Sequence, residues 1–165
     1  MSRAFVNEDD QREAPFVPPR ADLPESVPNY VTPEGLDELL QEKEQLLQEL
    51  RTTVSNENID KNNVINSLNI KLQLLENRIL TAQTIRRDDV DSDEITFGAD
   101  IILQIGNSGK TQKFRIVGVD EADIRKGKIS FLSPLSRLLM HKKAGDTVIL
   151  KLERGEQRFT ILAVE

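Results

Sequence analysis

At 165 residues, 38% hydrophobic but only 4% aromatic, the chain has room for one ordinary domain with an appendage, or two small ones, on a modest aliphatic core. A net charge of -6 argues against bare nucleic acid as the main partner, because phosphate binding needs clustered Lys and Arg, and the absence of cysteine excludes structural disulfides and thiolate metal sites. No run reaches the length of a membrane span and the N-terminus lacks the apolar core of a secretion signal, so the expected location is the cytoplasm.

Residues 1–29 are polar, carry Pro15, Pro18, Pro19, Pro24 and Pro28, and show no apolar period. They read as a disordered or extended arm, either a dispensable tail or a docking segment using Phe5, Phe16 and Val17. Order is expected from Asn29 onward. Thr32 suits a helix cap, Pro33 the first helical position, and Glu34 complements the helix dipole.

Residues 30–84 read as an antiparallel coiled-coil hairpin. The ascending apolar series is Leu36, Leu40, Leu47, Leu50 and Val54, with Lys43 at one seam position; the descending series is Ile65, Leu68, Leu72, Leu75, Ile79 and Ala82. Paired in antiparallel order, these residue numbers sum to 118 or 119, which puts the apex near Ile59 and Asp60. The surrounding run from Ser55 to Asn63 is rich in residues that favour turns over helix interiors.

Residues 85–95 are mostly charged and mark a linker. Over residues 96–165 the apolar period changes to two. Ala99, Ile101, Leu103 and Ile105 alternate, a turn at Asn107-Ser108-Gly109 follows, and Phe114 and Ile116 lie on a second strand. Lys126-Gly127-Lys128 turns the chain into a short strand with Ile129 and Phe131. Ser133-Pro134 repeats the cap-plus-proline start, for a short helix presenting Leu135, Leu138 and Leu139 and ending by Lys143. A closing hairpin carries Val148, Leu150 and Leu152, then Phe159, Ile161 and Ala163. The expected class is α+β, with a twisted antiparallel sheet and one short helix against it.

Thr32-Pro33-Glu34-Gly35-Leu36 opening a hairpin that closes at Ala82-Gln83, Phe97-Gly98-Ala99 starting the sheet, Arg115-Ile116-Val117-Gly118 before Asp120-Glu121-Ala122-Asp123, and the segment Ile129 to Leu139 before Gly145-Asp146 together form an ordered set. Over Asn29 to Glu165 this set resembles the GreA/GreB transcription elongation factors. Ser133-Pro134 with Gly145-Asp146 is its most specific part, and the opening Met1 to Val6 resembles the GreB-type arm.

The resemblance implies a bacterial RNA polymerase partner and an FKBP-like C-terminal domain that docks at the rim of the polymerase secondary channel while the coiled coil enters it. Leu132, Ser133 and Pro134 match the docking loop, with Asp120, Glu121 and Asp123 as further candidate partner-binding residues. Acids at the coil tip, here Glu57 and Asp60, then help hold the polymerase's second magnesium ion, whose two-metal hydrolysis needs added carboxylate. The factor itself is expected to be a monomer without enzymatic activity, cofactor, resident metal or membrane contact, meeting nucleic acid only through the transcription complex.

Two departures bear on cleavage. The family tip motif, an acid, two residues, then Glu-Asn-Ala-Glu-Tyr, is missing, and the hairpin is shorter than the family arm by about one heptad, roughly 10 Å. The expectation is therefore a secondary-channel regulator that does not stimulate transcript cleavage. A cleavage-stimulating factor using Glu57 and Asp60, and a coiled-coil adaptor unrelated to polymerase, are the alternatives. An FKBP-like fold also suggests prolyl isomerase activity, but Phe97, Phe114, Phe131 and Phe159 are more economically core, and His141, the sole histidine, rules out a multi-histidine site.

Overall fold

The structure is a computed structural model, and it describes residues 15–57, 61–87 and 93–165. A short strand β1 (Asn29–Val31) leads into helix α1 (Pro33–Val54), and helix α2 (Lys61–Thr81) returns into strand β2 (Ala82–Thr84). Thr32 caps α1 as expected, accepting from the Gly35 N–H with Pro33 directly behind it. At 22 residues α1 is roughly 33 Å long.

The α1 seam differs from the expected one. Leu40 is 46% exposed and Val54 56%, whereas Leu39 is only 3% exposed and clusters with Leu75 and Val31. The inward residues Leu36, Leu39, Lys43, Leu46, Leu50 and Thr53 follow a strict three-four spacing, and a first step of four to Leu40 leaves that stripe. On α2 the expected series is the buried one, with Leu68, Leu72 and Leu75 at its centre. Opposing Leu39 to Leu75 lowers the pairing sum to 114, and the helix ends at Val54 and Lys61 give 115, which moves the midpoint of the turn to Glu57.

β1 and β2 pair in parallel at the hairpin base, in the register Asn29↔Ala82 to Val31↔Thr84. Two three-residue strands are too short to show a period of two, which is why this pair was not visible in the pattern.

The second unit is a five-stranded sheet: β3 (Asp100–Ile105), β4 (Lys110–Val117), β5 (Lys128–Ser130), β6 (Thr147–Leu152) and β7 (Gly155–Val164), in the order β5-β4-β3-β7-β6. The pairs β3/β4, β3/β7 and β6/β7 are antiparallel, but β5 lies parallel to β4. The expected wholly antiparallel sheet is thus corrected at one edge. Parallel neighbours need a crossover, supplied here by the segment between Val117 and Lys128 with its single 3-10 turn at Ile124–Lys126.

The inward side chains Ile101, Leu103, Phe114, Ile116, Ile129, Val148, Phe159 and Ile161 form one core with Ile95, Phe97, Ala99 and Leu139. Ile95, at the end of the charged stretch, is fully buried there. Helix α3 (Pro134–Leu139) covers this core through Leu139 while Leu138 points outward, and it ends before Lys143, where Met140 leaves the helical region with ψ 134° and His141 follows with a left-handed φ of 64°. Among the described residues no helix is long and apolar enough to cross a membrane.

Candidate functional site

The loop before α3 is built by its own hydrogen bonds. Ser133 Oγ accepts from the Ser136 N–H at 3.2 Å and donates to Ser136 Oγ at 2.9 Å, Ser133 N–H donates to the Ser130 carbonyl at 2.9 Å, and Leu132 N–H to Ser130 Oγ at 3.1 Å. Ser136 is fully buried, so the cap is anchored to the core, while Pro134 is exposed at the loop crest and Leu132 and Ser133 are half-buried. A loop fixed by a rigid scaffold in this way presents a defined shape to a partner.

The acids before the 3-10 turn face different surroundings. Asp123 caps that turn, accepting from the Arg125 N–H at 3.0 Å. Asp120 and Glu121, by contrast, are buried where the hairpin base meets the sheet. Asp120 accepts from Arg20 Nε at 3.0 Å and lies 3.6 Å from Arg78 Nε of α2. Glu121 accepts from Thr32 Oγ1 at 2.5 Å and from Lys128 Nζ at 3.1 Å. Burial pulls the Lys128 ammonium down, but its hydrogen bonds and charge attraction to Glu121 and Glu38 outweigh this and leave it above its ordinary value.

Arg20 completes the junction. Its guanidinium grips the Glu42 carboxylate of α1 with two bonds of 2.7 and 3.0 Å while also donating to Asp120, and the Glu42 bonds, against the cost of burial, raise its affinity for the proton. Arg78 also donates to the Ala21 carbonyl. An apolar contact seals the same junction: the rings of Tyr30, Phe97 and Phe131 lie 5.6 to 5.9 Å apart, centre to centre. Backbone meets backbone here too, since a Cβ on Gly118 would come within 2.4 Å of the Tyr30 carbonyl oxygen.

At the far end of the hairpin, Glu57 is exposed beside the turn, and Asp60 lies outside the described residues. Among the described residues, no group of three or more His, Cys, Asp or Glu side chains is placed to hold a metal ion.

Residues 90–165, which contain the sheet, α3 and the loop before it, match the family described as transcription elongation factor, GreA/GreB, C-terminal. The match covers the C-terminal unit, and over that unit the chain is similar to the GreA/GreB family. It is similar to the transcription elongation factor GreA of Acidiphilium cryptum, at 42% identity over 90 residues, 54% of this chain and 57% of that relative. To GreA of Desulfovibrio desulfuricans it is 36% identical over 94 residues, 57% of this chain and 58% of the relative. The chain therefore spans less than two thirds of the length of these GreA relatives. Among solved structures, it is similar to GreA factor homolog 1 (Gfh1) of Thermus thermophilus with a TM-score of 0.40 and 20% identity, over 82% of this chain and 97% of that one.

The sequence pattern located the Ser133-Pro134 loop and its cap but missed Arg20, Glu42, Arg78 and Tyr30, which assemble the junction. Of the expected partner-binding set, Leu132, Ser133 and Pro134 share one loop and Asp123 lies on the neighbouring turn, whereas Asp120 and Glu121 are turned inward. The available signals were Gly35 and Gly118, each of which leaves room for a group across the junction.

Proposed function

We propose that this chain regulates transcription elongation by binding bacterial RNA polymerase at the secondary channel, as a cytoplasmic monomer with no catalysis of its own and without stimulating transcript cleavage. The observation that carries the reading is a GreA/GreB C-terminal domain joined to a helical hairpin whose ascending helix has only 22 residues. In this reading the division of labour follows residues 1–29 as arm, 30–84 as hairpin, 85–95 as linker and 96–165 as docking domain. Docking runs through Leu132, Ser133 and Pro134, with Asp123, on the turn before β5, as a further candidate contact. Asp120 and Glu121 serve the hairpin base instead, because reaching a partner would require opening a paired, buried site.

The hairpin length argues against cleavage. An arm short by about one heptad holds any acid roughly 10 Å from where a carboxylate must bind a metal at about 2 to 2.6 Å. A second reading, cleavage stimulation using Glu57 and Asp60, draws support from Glu57, which is exposed beside the turn.

Transcript cleavage in a backtracked polymerase complex, with and without the protein, separates the two. No acceleration is expected from the native chain, nor from one given the family's acidic tip alone. Matched seven-residue insertions in α1 and α2 together with those acids are expected to create it, because they preserve the seam. Acceleration by the native chain that disappears in Glu57→Ala or Asp60→Ala would overturn the length argument. Failure of the chain to co-purify with polymerase would favour the adaptor reading.

A further inference from the structure

The hairpin base and the sheet already touch near the pivot, through Thr32 on Glu121, Tyr30 against Phe97 and Phe131, and Gly118 against the Tyr30 backbone. Contacts at a pivot resist sliding well but tilting poorly, because their lever arm is short. Arg20 acts elsewhere. Glu42 lies ten positions beyond Thr32 on α1, roughly 15 Å up the helix, and Arg20 joins it to Asp120 of the sheet unit. The same Asp120 carries the Arg78 charge of α2, whose guanidinium also holds the Ala21 carbonyl, so arm, both helices and sheet unit meet in one small charge network.

From this arrangement we propose that the N-terminal arm is an intramolecular clamp: Arg20, bridging Glu42 and Asp120, fixes the angle at which the hairpin projects from the sheet domain. Three features support an orienting role over incidental surface contact. The guanidinium side chain is only 19% exposed and Asp120 6%, so the pair is shielded from the screening that makes surface ion pairs weak. The grip on Glu42 is two-pronged, which specifies direction as well as distance. Pro18 and Pro19 immediately before Arg20 restrict the approach of the arm, lowering the entropy lost when it seats. The inference concerns hairpin and sheet alone and holds whichever partner the docking loop meets.

The absence of native cysteine makes a direct measurement simple. Spin labels on Gln45→Cys, exposed on α1, and Lys151→Cys, exposed on β6, report the inter-unit distance in the full chain by pulsed electron resonance. The parent pair is expected to give one narrow distance. Arg20→Ala and Arg20→Lys should broaden or shift it, the lysine because a point charge cannot hold two carboxylates in the same fork. Phe16→Ala, on the same arm but 87% exposed, should leave it unchanged. Arg20 lies outside both apolar cores, so helix content and melting of the sheet domain should persist in these variants. An unaltered narrow distance in Arg20→Ala would overturn the clamp, as would equal broadening by Phe16→Ala.

Discussion

Thr32 and Glu121, 89 positions apart in sequence, share a hydrogen bond of 2.5 Å from the hydroxyl to the carboxylate, and the same hydroxyl oxygen accepts from the Gly35 N–H at 2.9 Å. One side chain thus caps the hairpin's first helix and fastens it to the other unit. Thr32→Val keeps the shape and removes both bonds. A lost cap costs about 1 kcal/mol and a buried bond to a charged group about 1.5 to 3 kcal/mol, so a loss of about 2 to 4 kcal/mol is expected in urea denaturation. A loss below about 0.5 kcal/mol would mean that Glu121 finds full compensation in Lys128.

Gly118 and Gly35 both sit at the junction but differ in what an added methyl group would meet. At Gly118 it meets the Tyr30 carbonyl oxygen, part of a backbone, at 2.4 Å; at Gly35 it meets the end of the Glu121 side chain. Gly118→Ala is expected to lower stability by about 1 to 3 kcal/mol, since strand and hairpin base must separate. Gly35→Ala is expected to cost less, because the roughly 1 kcal/mol of helix propensity that Ala gains offsets part of the cost of displacing the Glu121 carboxylate from Thr32. Thermal melts of the two variants side by side check the order.

Asp100 is held below the usual carboxylate range chiefly by the Arg115 fork, with bonds of 2.6 and 2.8 Å, and further by Lys113, against a partial cost of burial. A lowered folded pKa means that the unfolded chain takes up the proton first. The stabilisation is therefore complete above the unfolded value of about 3.9 and is lost as pH falls through the lower folded value. Melting temperatures measured downward from about pH 5 should fall more steeply for the native chain than for Asp100→Asn. Parallel curves would remove Asp100 from the acid response.

Lys43 occupies a seam position of α1 and pairs with Glu76 of α2 at 3.2 Å. Both side chains are at least a third exposed, so the ion pair is worth little after screening. Lys43→Leu places a full apolar side chain in the heptad and is expected to raise the melting temperature of the hairpin. A fall would show that the Lys43–Glu76 bridge orders the seam more strongly than its exposure allows.

Local chemistry made much of the architecture readable. Thr32-Pro33 and Ser133-Pro134 announced their helices because a cap needs only its own neighbours, and the alternation in β3 and β4 follows from one buried face. Leu39 against Leu40 was ambiguous, since two adjacent leucines satisfy steps of three and of four equally well until the partner helix selects one. The parallel seat of β5 was hidden because three residues carry no direction. The junction was the least legible part. Among 28 acidic residues nothing local distinguishes Asp120 and Glu121, and their partners Arg20 and Thr32 lie 100 and 89 positions away.

The ring cluster of Tyr30, Phe97 and Phe131 has a practical side. Tyr30 is the sole tyrosine and the chain has no tryptophan, so its intrinsic ultraviolet emission comes from a single phenol lodged between the hairpin base and the sheet. Phenylalanine absorbs and emits too weakly to compete with it. The molecule carries its own optical gauge, and loosening of the joint alters the packing and solvation of that one fluorophore. An unlabelled sample in a cuvette can therefore follow the joint while either unit stays folded.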